Sequence, residues 1–172
     1  MTSNPEPTAA SAIDIRPLRE GDLESLVAVN DGAYPAVPIT PLDEFAALVR
    51  MGALVLVVDD GEPAGFLLTM APGLDYASEN YRFFSERSND FLYIDRIVLA
   101  PEARGAGLGS ELYGRIFAAA TQRGASEVTC EVNVEPPNPA SLAFHAALGF
   151  AEVARQSTKG GSVVVALLAA PA

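Results

Sequence analysis

Phe91-Leu-Tyr-Ile-Asp-Arg-Ile-Val-Leu-Ala-Pro-Glu-Ala-Arg-Gly-Ala-Gly-Leu-Gly-Ser110 is the stretch whose reading decides the fold. Its first half, Phe91–Leu99, is rich in β-branched and aromatic residues and predicts a strand. Beyond it Leu108, Leu112, Ile116 and Ala120 recur every fourth residue, with Tyr113 and Phe117 beside them, which predicts an amphipathic helix. Between the two lie Gly105, Gly107 and Gly109, which let the backbone turn tightly and approach a ligand where a Cβ would collide. A helix N-terminus offers unpaired N–H groups and a partial positive charge, so strand, glycine loop and helix start together make a cradle for phosphate.

The cradle is not a P-loop, which would end Gly-Lys-Ser/Thr where this one ends Leu108-Gly109-Ser110. A dinucleotide fingerprint reads G-x-G-x-x-G early in a βαβ unit, with an acidic residue about twenty positions on. Here the spacing is G-x-G-x-G and the unit falls late, although Glu127 and Glu131 stand at about that distance. The pattern Arg104-x-x-Gly107-x-Gly109, after a strand ending Ile97-Val98-Leu99-x-Pro101, instead resembles the acyl-CoA pyrophosphate loop of the GNAT superfamily of N-acetyltransferases.

A second block extends the resemblance. Glu127–Val134 reads as a strand, and Asn138-Pro-Ala-Ser-Leu-Ala-Phe-His-Ala-Ala-Leu-Gly-Phe150 resembles the superfamily helix that opens on asparagine and closes on Gly-Phe. Asn138 is a good N-cap, Pro139 suits the first helical position, and Gly149 suits the C-terminal turn. The resemblance covers roughly residues 13–168. It implies one α/β (α+β) domain over 13–169, a mixed, mostly antiparallel sheet of about seven strands with about four helices. Splayed central strands would hold acetyl-CoA.

Composition agrees with a single domain. At 172 residues the chain can bury one substantial core. Hydrophobic residues make up 49%, yet no apolar run approaches the eighteen or so residues of a membrane span. Residues 1–12 have neither a basic n-region nor an apolar h-region and read as a disordered tail. One cysteine, Cys130, rules out an internal disulfide and a Cys-rich metal site and suits the reducing cytoplasm. A net charge of −11 offers no basic footprint for nucleic acid and would attract a cationic amine. Homodimers are common among proteins of similar fold.

The remaining elements are read coarsely. Ile13–Leu18 reads as an edge strand because Pro17 lacks a ladder donor. Glu20–Gly32 reads as a helix, and Pro41–Met51 as another with Thr40 as N-cap. Ala53–Val58 and Ala64–Met70 read as a hairpin. Ala151–Gln156 and Val163–Leu168 read as closing strands. Ala71–Ser88 shows no regular pattern but carries Tyr76, Tyr81, Phe83 and Phe84, which are candidates to form the acceptor pocket or, alternatively, a satellite core.

Acylating an amine by direct attack on a thioester needs a base for the ammonium proton, a donor for the developing oxyanion, and a proton for the departing sulfur. The resemblance places cofactor contacts on Ile97, Val98, Leu99, Arg104, Gly105, Ala106, Gly107, Leu108, Gly109 and Ser110. It extends them to Asn133, Asn138, Ser141, Phe144 and His145. Strand alternation puts Tyr93, Asp95, Ile97 and Leu99 on one face. Asp95 is a candidate base, because an unpaired carboxylate on an apolar strand is expensive; the alternative is a structural pair with Arg96 or Arg16. Glu131, sharing a face with Asn133, is the rival base, and Tyr93 a candidate substrate contact. His145, the only histidine, stands where many superfamily members place a tyrosine thought to protonate the thiolate. With an ordinary pKa of about 6.5 it can exchange protons near neutrality. The acceptor is then a small-molecule or amino-acid-like primary amine; a protein N-terminus or lysine, or a CoA-binding domain without turnover, are the alternatives.

Overall fold

The structure is a computed structural model and describes residues 13–172, so the expected tail lies outside the described residues. The strands are β1 (Asp14–Pro17), β2 (Gly52–Asp59), β3 (Pro63–Met70), β4 (Phe91–Leu99), β5 (Glu127–Glu135), β6 (Ala151–Thr158) and β7 (Val163–Pro171). The helices are α1 (Leu23–Asp31), α2 (Leu42–Met51), α3 (Glu79–Arg87), α4 (Leu108–Arg123) and α5 (Pro139–Ala147). The strands form one seven-stranded sheet ordered β1-β2-β3-β4-β5-β7-β6, in which only the β4–β5 pair is parallel. This is the mixed sheet the sequence implies, and β1 takes the edge that Pro17 requires.

Period-two alternation sorts the core into two layers. Leu56, Val58, Leu67, Val128, Cys130, Val132, Ala166 and Leu168 face α4 and α5, meeting Leu112, Ile116, Ala120 and Phe150. Val57, Phe66, Leu68, Val165 and Leu167 face the other way, meeting Leu26 of α1, Phe45 of α2, and Tyr81 and Phe84 of α3. Full burial of each such side chain contributes about 1.5–3 kcal/mol. Gly65 lets β3 lie close to β4, since a Cβ there would sit 2.7 Å from the Val98 carbonyl oxygen. The edge strand is tied down by Arg16, whose guanidinium donates to Asp22 at 2.7 and 2.9 Å and to Asp59 at 2.6 Å. Those bonds hold the Asp22 carboxyl below the usual carboxylate range. Arg16 is therefore not a partner of Asp95.

Three expectations need correction. Leu68 pairs with Arg96 but Thr69 pairs with Ile94, so Asp95 is an extra residue, a β-bulge in β4. The bulge inverts the alternation: Tyr93 packs in the α1–α3 layer while Ile97 and Leu99 pack in the α4 layer, so the four residues do not share a face. Thr40 does not cap α2, which starts from Pro41; its hydroxyl donates to the Pro38 carbonyl and accepts from Arg96. Within Ala71–Ser88 lies a fifth helix, α3, capped by the Ser78 side chain accepting from the Tyr81 N–H. Tyr81 and Phe84 stand three apart on its buried side at 1% and 0% exposure, and the Tyr81 hydroxyl donates to the Ala71 carbonyl at 2.7 Å. They are core residues.

Phe84→Ala is therefore expected to cost about 3–5 kcal/mol in chemical denaturation, against less than about 1 kcal/mol for half-buried Phe83→Ala. Equal costs would show that α3 is not anchored through Phe84.

Candidate active site

β4 and β5 hydrogen-bond only through Phe91, Leu92 and Tyr93, opposite Glu127, Val128 and Thr129. From Ile94 on, β4 has no ladder partner on that side, and the strands part around a cleft. On β5 the residues facing α4 are apolar, whereas Thr129, Glu131 and Asn133 face the other way. A polar face on a central strand is affordable only where it borders a cavity.

Two cavities fill the gap and share Asp95, Arg96, Glu131 and Asn133. One, of about 230 Å3, reaches toward α4 and α5 and is lined by Tyr113, Cys130, Asn138, Ser141 and His145. The other, of about 190 Å3, reaches toward α3 and the β6–β7 turn and is lined by Tyr76, Ser78, Asn80, Tyr93 and Lys159. Ala36 and Val37, from the connection between α1 and α2, wall both.

The two candidate carboxylates have different surroundings. Asp95 accepts from the Tyr76 hydroxyl at 2.5 Å on one oxygen and from Arg96 Nε at 2.9 Å on the other. The Asp95 and Arg96 side chains are 4% and 7% exposed, and Arg96 also donates to Asn30 at 2.9 Å and Thr40 at 3.2 Å. Glu131 accepts one bond, from the Tyr93 hydroxyl at 2.8 Å. Burial pushes its carboxyl up to about 7, opposed by the Tyr93 hydrogen bond and aided by the neighbouring Asp95 charge.

His145 has both ring nitrogens engaged. Its Nδ1 lies 2.7 Å from the Ser141 carbonyl, which can only accept, so Nδ1 carries the proton. Nε2 then accepts from the Tyr113 hydroxyl at 2.6 Å. Burial holds the imidazole below its ordinary pKa, opposed by that Ser141 bond. Burial likewise holds the Tyr113 proton on its oxygen and the Cys130 thiol un-ionised.

At the glycine loop, Gly105 and Gly107 take φ of 85° and 76°, the left-handed region that glycine enters freely. Gly107 caps α4 without a side-chain bond, so the N–H groups of Leu108, Gly109 and Ser110 start the helix with no side-chain cap. Arg104 donates to the Leu99 carbonyl at 3.1 Å. It lines, with Ile97, Val98 and Leu99, an apolar trough running toward α1. Asn138 caps α5, its side chain accepting from the Ser141 N–H at 3.2 Å, and Phe144 packs edge-on against Tyr113.

Of the four aromatic residues expected around the acceptor, Tyr76 lines the cleft; Tyr81 and Phe84 are in the core, and Phe83 packs beside them. Sequence reasoning missed Tyr113, Asn80 and Lys159. Tyr113 lies on the apolar stripe of α4 and reads as core, and Asn80 sits in a segment without periodicity. Lys159 carried one signal, being the chain's only lysine.

A splayed parallel pair, a backbone anion cradle at one end and two buried carboxylates at the other define the architecture of an acyl-CoA-dependent transferase. The profile of the Acetyltransferase (GNAT) family matches residues 22–150, and the chain belongs to that family. It is an acetyltransferase whose acyl donor is acetyl-CoA. Its fold is similar to that of the ribosomal-protein-alanine N-acetyltransferase of Brucella melitensis (24% identity, 92% of this chain and 99% of that one, TM-score 0.68). It is similar also to the ribosomal-protein-S18-alanine N-acetyltransferase of Escherichia coli (20%, 93% and 94%, 0.70). A third likeness is to the NatC complex bound to Gag peptide and CoA (16%, 93% and 98%, 0.72). Among curated proteins no sequence match is found. Among the described residues no helix is long and apolar enough to cross a membrane.

The Glu131 carboxyl is expected to titrate near 7 by carbon NMR. Because the Tyr93 hydroxyl favours the ionised form, Tyr93→Phe should raise that value further. Linkage has a definite sign: a folded pKa above the unfolded 4.5 contributes stability that is complete below 4.5 and lost as pH rises through about 7. Glu131→Gln should remove that downward slope from the pH–stability curve; an unchanged slope would assign it elsewhere.

Proposed function

We propose that this protein transfers the acetyl group of acetyl-CoA to the primary amine of a small acceptor, with Glu131 as the base. The observation that carries the reading is the position of Glu131 where the two cavities meet, with a carboxyl poised near 7 and one oxygen free of protein hydrogen bonds. A general base works best when its pKa lies near the working pH. Asp95 is the weaker candidate, since Tyr76 and Arg96 occupy both its oxygens. It holds the bulge and adds negative charge that favours an incoming ammonium.

The cradle residues fit the donor. Backbone N–H groups from Gly105 to Ser110 suit a pyrophosphate, and the unpaired edge of β4 from Ile94 to Leu99 suits the pantetheine amides as a neighbouring strand would. Bound there, the donor supplies a thioester, an acetyl group already activated for transfer. Glu131 accepts the proton that frees the amine lone pair. Tyr113 lines the same cavity, and its one hydroxyl proton, held on His145 Nε2 before reaction, turns from the imidazole to the departing thiolate. An N–C bond forms as the C–S bond breaks. The acceptor ammonium gives up two protons in all, one to the sulfur and one to solvent.

The small volume of the second cavity supports a small acceptor, as does the way Tyr76 and α3 close it. Both carboxylates line the cleft, which supports turnover over mere cofactor binding. Assays of CoA release over an amine panel test the reading. Glu131→Gln is expected to lower kcat/KM by about 10²–10⁴ and to abolish the rise in rate with pH centred near 7. A variant with parental rates and profile would remove Glu131 from the reaction. Gly107→Glu sets a carboxylate at the cradle, where space is open, and should eliminate acetyl-CoA binding in calorimetry. Its left-handed φ adds only about 1 kcal/mol of strain, so melting temperature separates lost binding from lost fold.

A further inference from the structure

Lys159 is the only lysine in the chain, and it occupies an unusual place. It lies in the turn between β6 and β7 with φ of 51°, a left-handed conformation that disfavours any side chain. Gly160 and Gly161 follow it in the same region at 66° and 91°, where glycine carries no such penalty. The turn is held firmly: the Ser162 hydroxyl donates to the Lys159 carbonyl at 3.0 Å, and the Lys159 N–H donates to Glu79 on α3 at 3.4 Å. The ammonium itself makes no ion pair among the described residues. Lys159 is exposed, and it is one of the residues lining the cavity of about 190 Å3 whose lining also carries Glu131 and Asp95. In a chain of net charge −11, a lysine without an ion pair stands on the lining of the small cavity that two buried carboxylates also line.

We infer that the acceptor is a small amino carboxylic acid bound as its zwitterion, the ammonium toward Glu131 and Asp95 and the carboxylate on Lys159. The inference rests on the acetyl-transfer reading above and narrows its substrate class. Charge-assisted hydrogen bonds at both ends fix the molecule's direction, so the amine and not the carboxylate faces the donor. The cavity is smaller than the roughly 300–1,000 Å3 of drug-sized sites, which suits a short molecule. The same arrangement discriminates against rivals. A diamine or polyamine would bring a second cation against Lys159, and a peptide N-terminus would bring a neutral carbonyl there, leaving the ammonium unpartnered.

The test uses the intact protein, acetyl-CoA, and three matched sets of acceptors: α-, β- and γ-amino acids, their carboxamides, and the corresponding decarboxylated amines. Initial rates of CoA release are measured for the parent, Lys159→Met and Lys159→Arg. The parent is expected to prefer its best amino acid over the matched amide by roughly tenfold or more in kcat/KM, carried mainly in KM, as loss of a charged hydrogen bond implies. In Lys159→Met that preference should fall to within about twofold, while Lys159→Arg keeps part of it. Melting temperature and acetyl-CoA binding should match the parent in both, since each keeps a Cβ at the same φ. Amides or amines acetylated as well as the acids overturn the inference and leave the small-amine reading standing, as does an undiminished preference in Lys159→Met. A parent inert toward all three sets, yet still binding acetyl-CoA, overturns that reading itself and the inference with it.

Discussion

The single extra residue in β4 is the constraint on which the rest of the structure depends. A strand that ran straight from Phe91 to Leu99 would keep its ladder with β5 and close the gap between them. Instead Asp95 is left unpaired against β3, and the β4–β5 ladder ends just before it, at Tyr93. Unpaired backbone groups in an interior are costly, so something must hold the strands apart. Arg96 supplies much of that: it grips Asp95 on its own strand, Asn30 at the end of α1, and Thr40 before α2. Asn30 in turn donates to the Pro38 carbonyl, and Asp31 accepts from the Thr40 N–H. One buried guanidinium thus couples the bulge to the connection that delivers Ala36 and Val37 to the cleft wall.

Electrostatics then divides labour between two carboxylates a few residues apart in space. Asp95 is surrounded by donors and is spent on structure. Glu131, with a single phenol for a partner and little water, stays poised near neutrality. In the reading proposed above, that difference makes Glu131 the base and leaves Asp95 to hold the bulge and favour the ammonium by its charge. The glycine loop shows a related economy, because helix N–H groups bind an anion without adding cationic side chains. In the proposed reading, a chain of net charge −11 can therefore attract ammonium groups over its surface and still receive a pyrophosphate at one helix end.

Most of the fold was legible because its signals are local. The strand at Phe91–Leu99, the glycine loop, the four-residue repeat of α4, and the Asn138-Pro139 start of α5 each appear where their residues require. The polar face of β5 was legible too, since Glu131 and Asn133 alternate with Cys130 and Val132. Three features were not. A bulge depends on which β3 residue faces which β4 residue, and no periodicity within β4 reports that, so alternation placed Tyr93 and Ile97 together. α3 has only two buried side chains in nine residues, too few for a stripe, although Ser78 ahead of Tyr81 was a usable cap signal. The surroundings of Tyr113 required knowing that the start of α4 packs against the last turn of α5, which is tertiary information.

That contact fixes the state of the lone histidine. Its Nδ1 proton is committed to the Ser141 carbonyl one turn earlier on α5, which fixes the tautomer. A fixed tautomer leaves Nε2 as an acceptor, and the group that answers it is the Tyr113 hydroxyl, 2.6 Å away on α4. Burial lowers the histidine's affinity for a second proton and raises the tyrosine's hold on its own, so both effects preserve the same neutral pair. The phenol is therefore supplied from α4 and its proton is held from α5, so that in the proposed reading the histidine at position 145 acts through a hydroxyl that the helix carrying it does not possess.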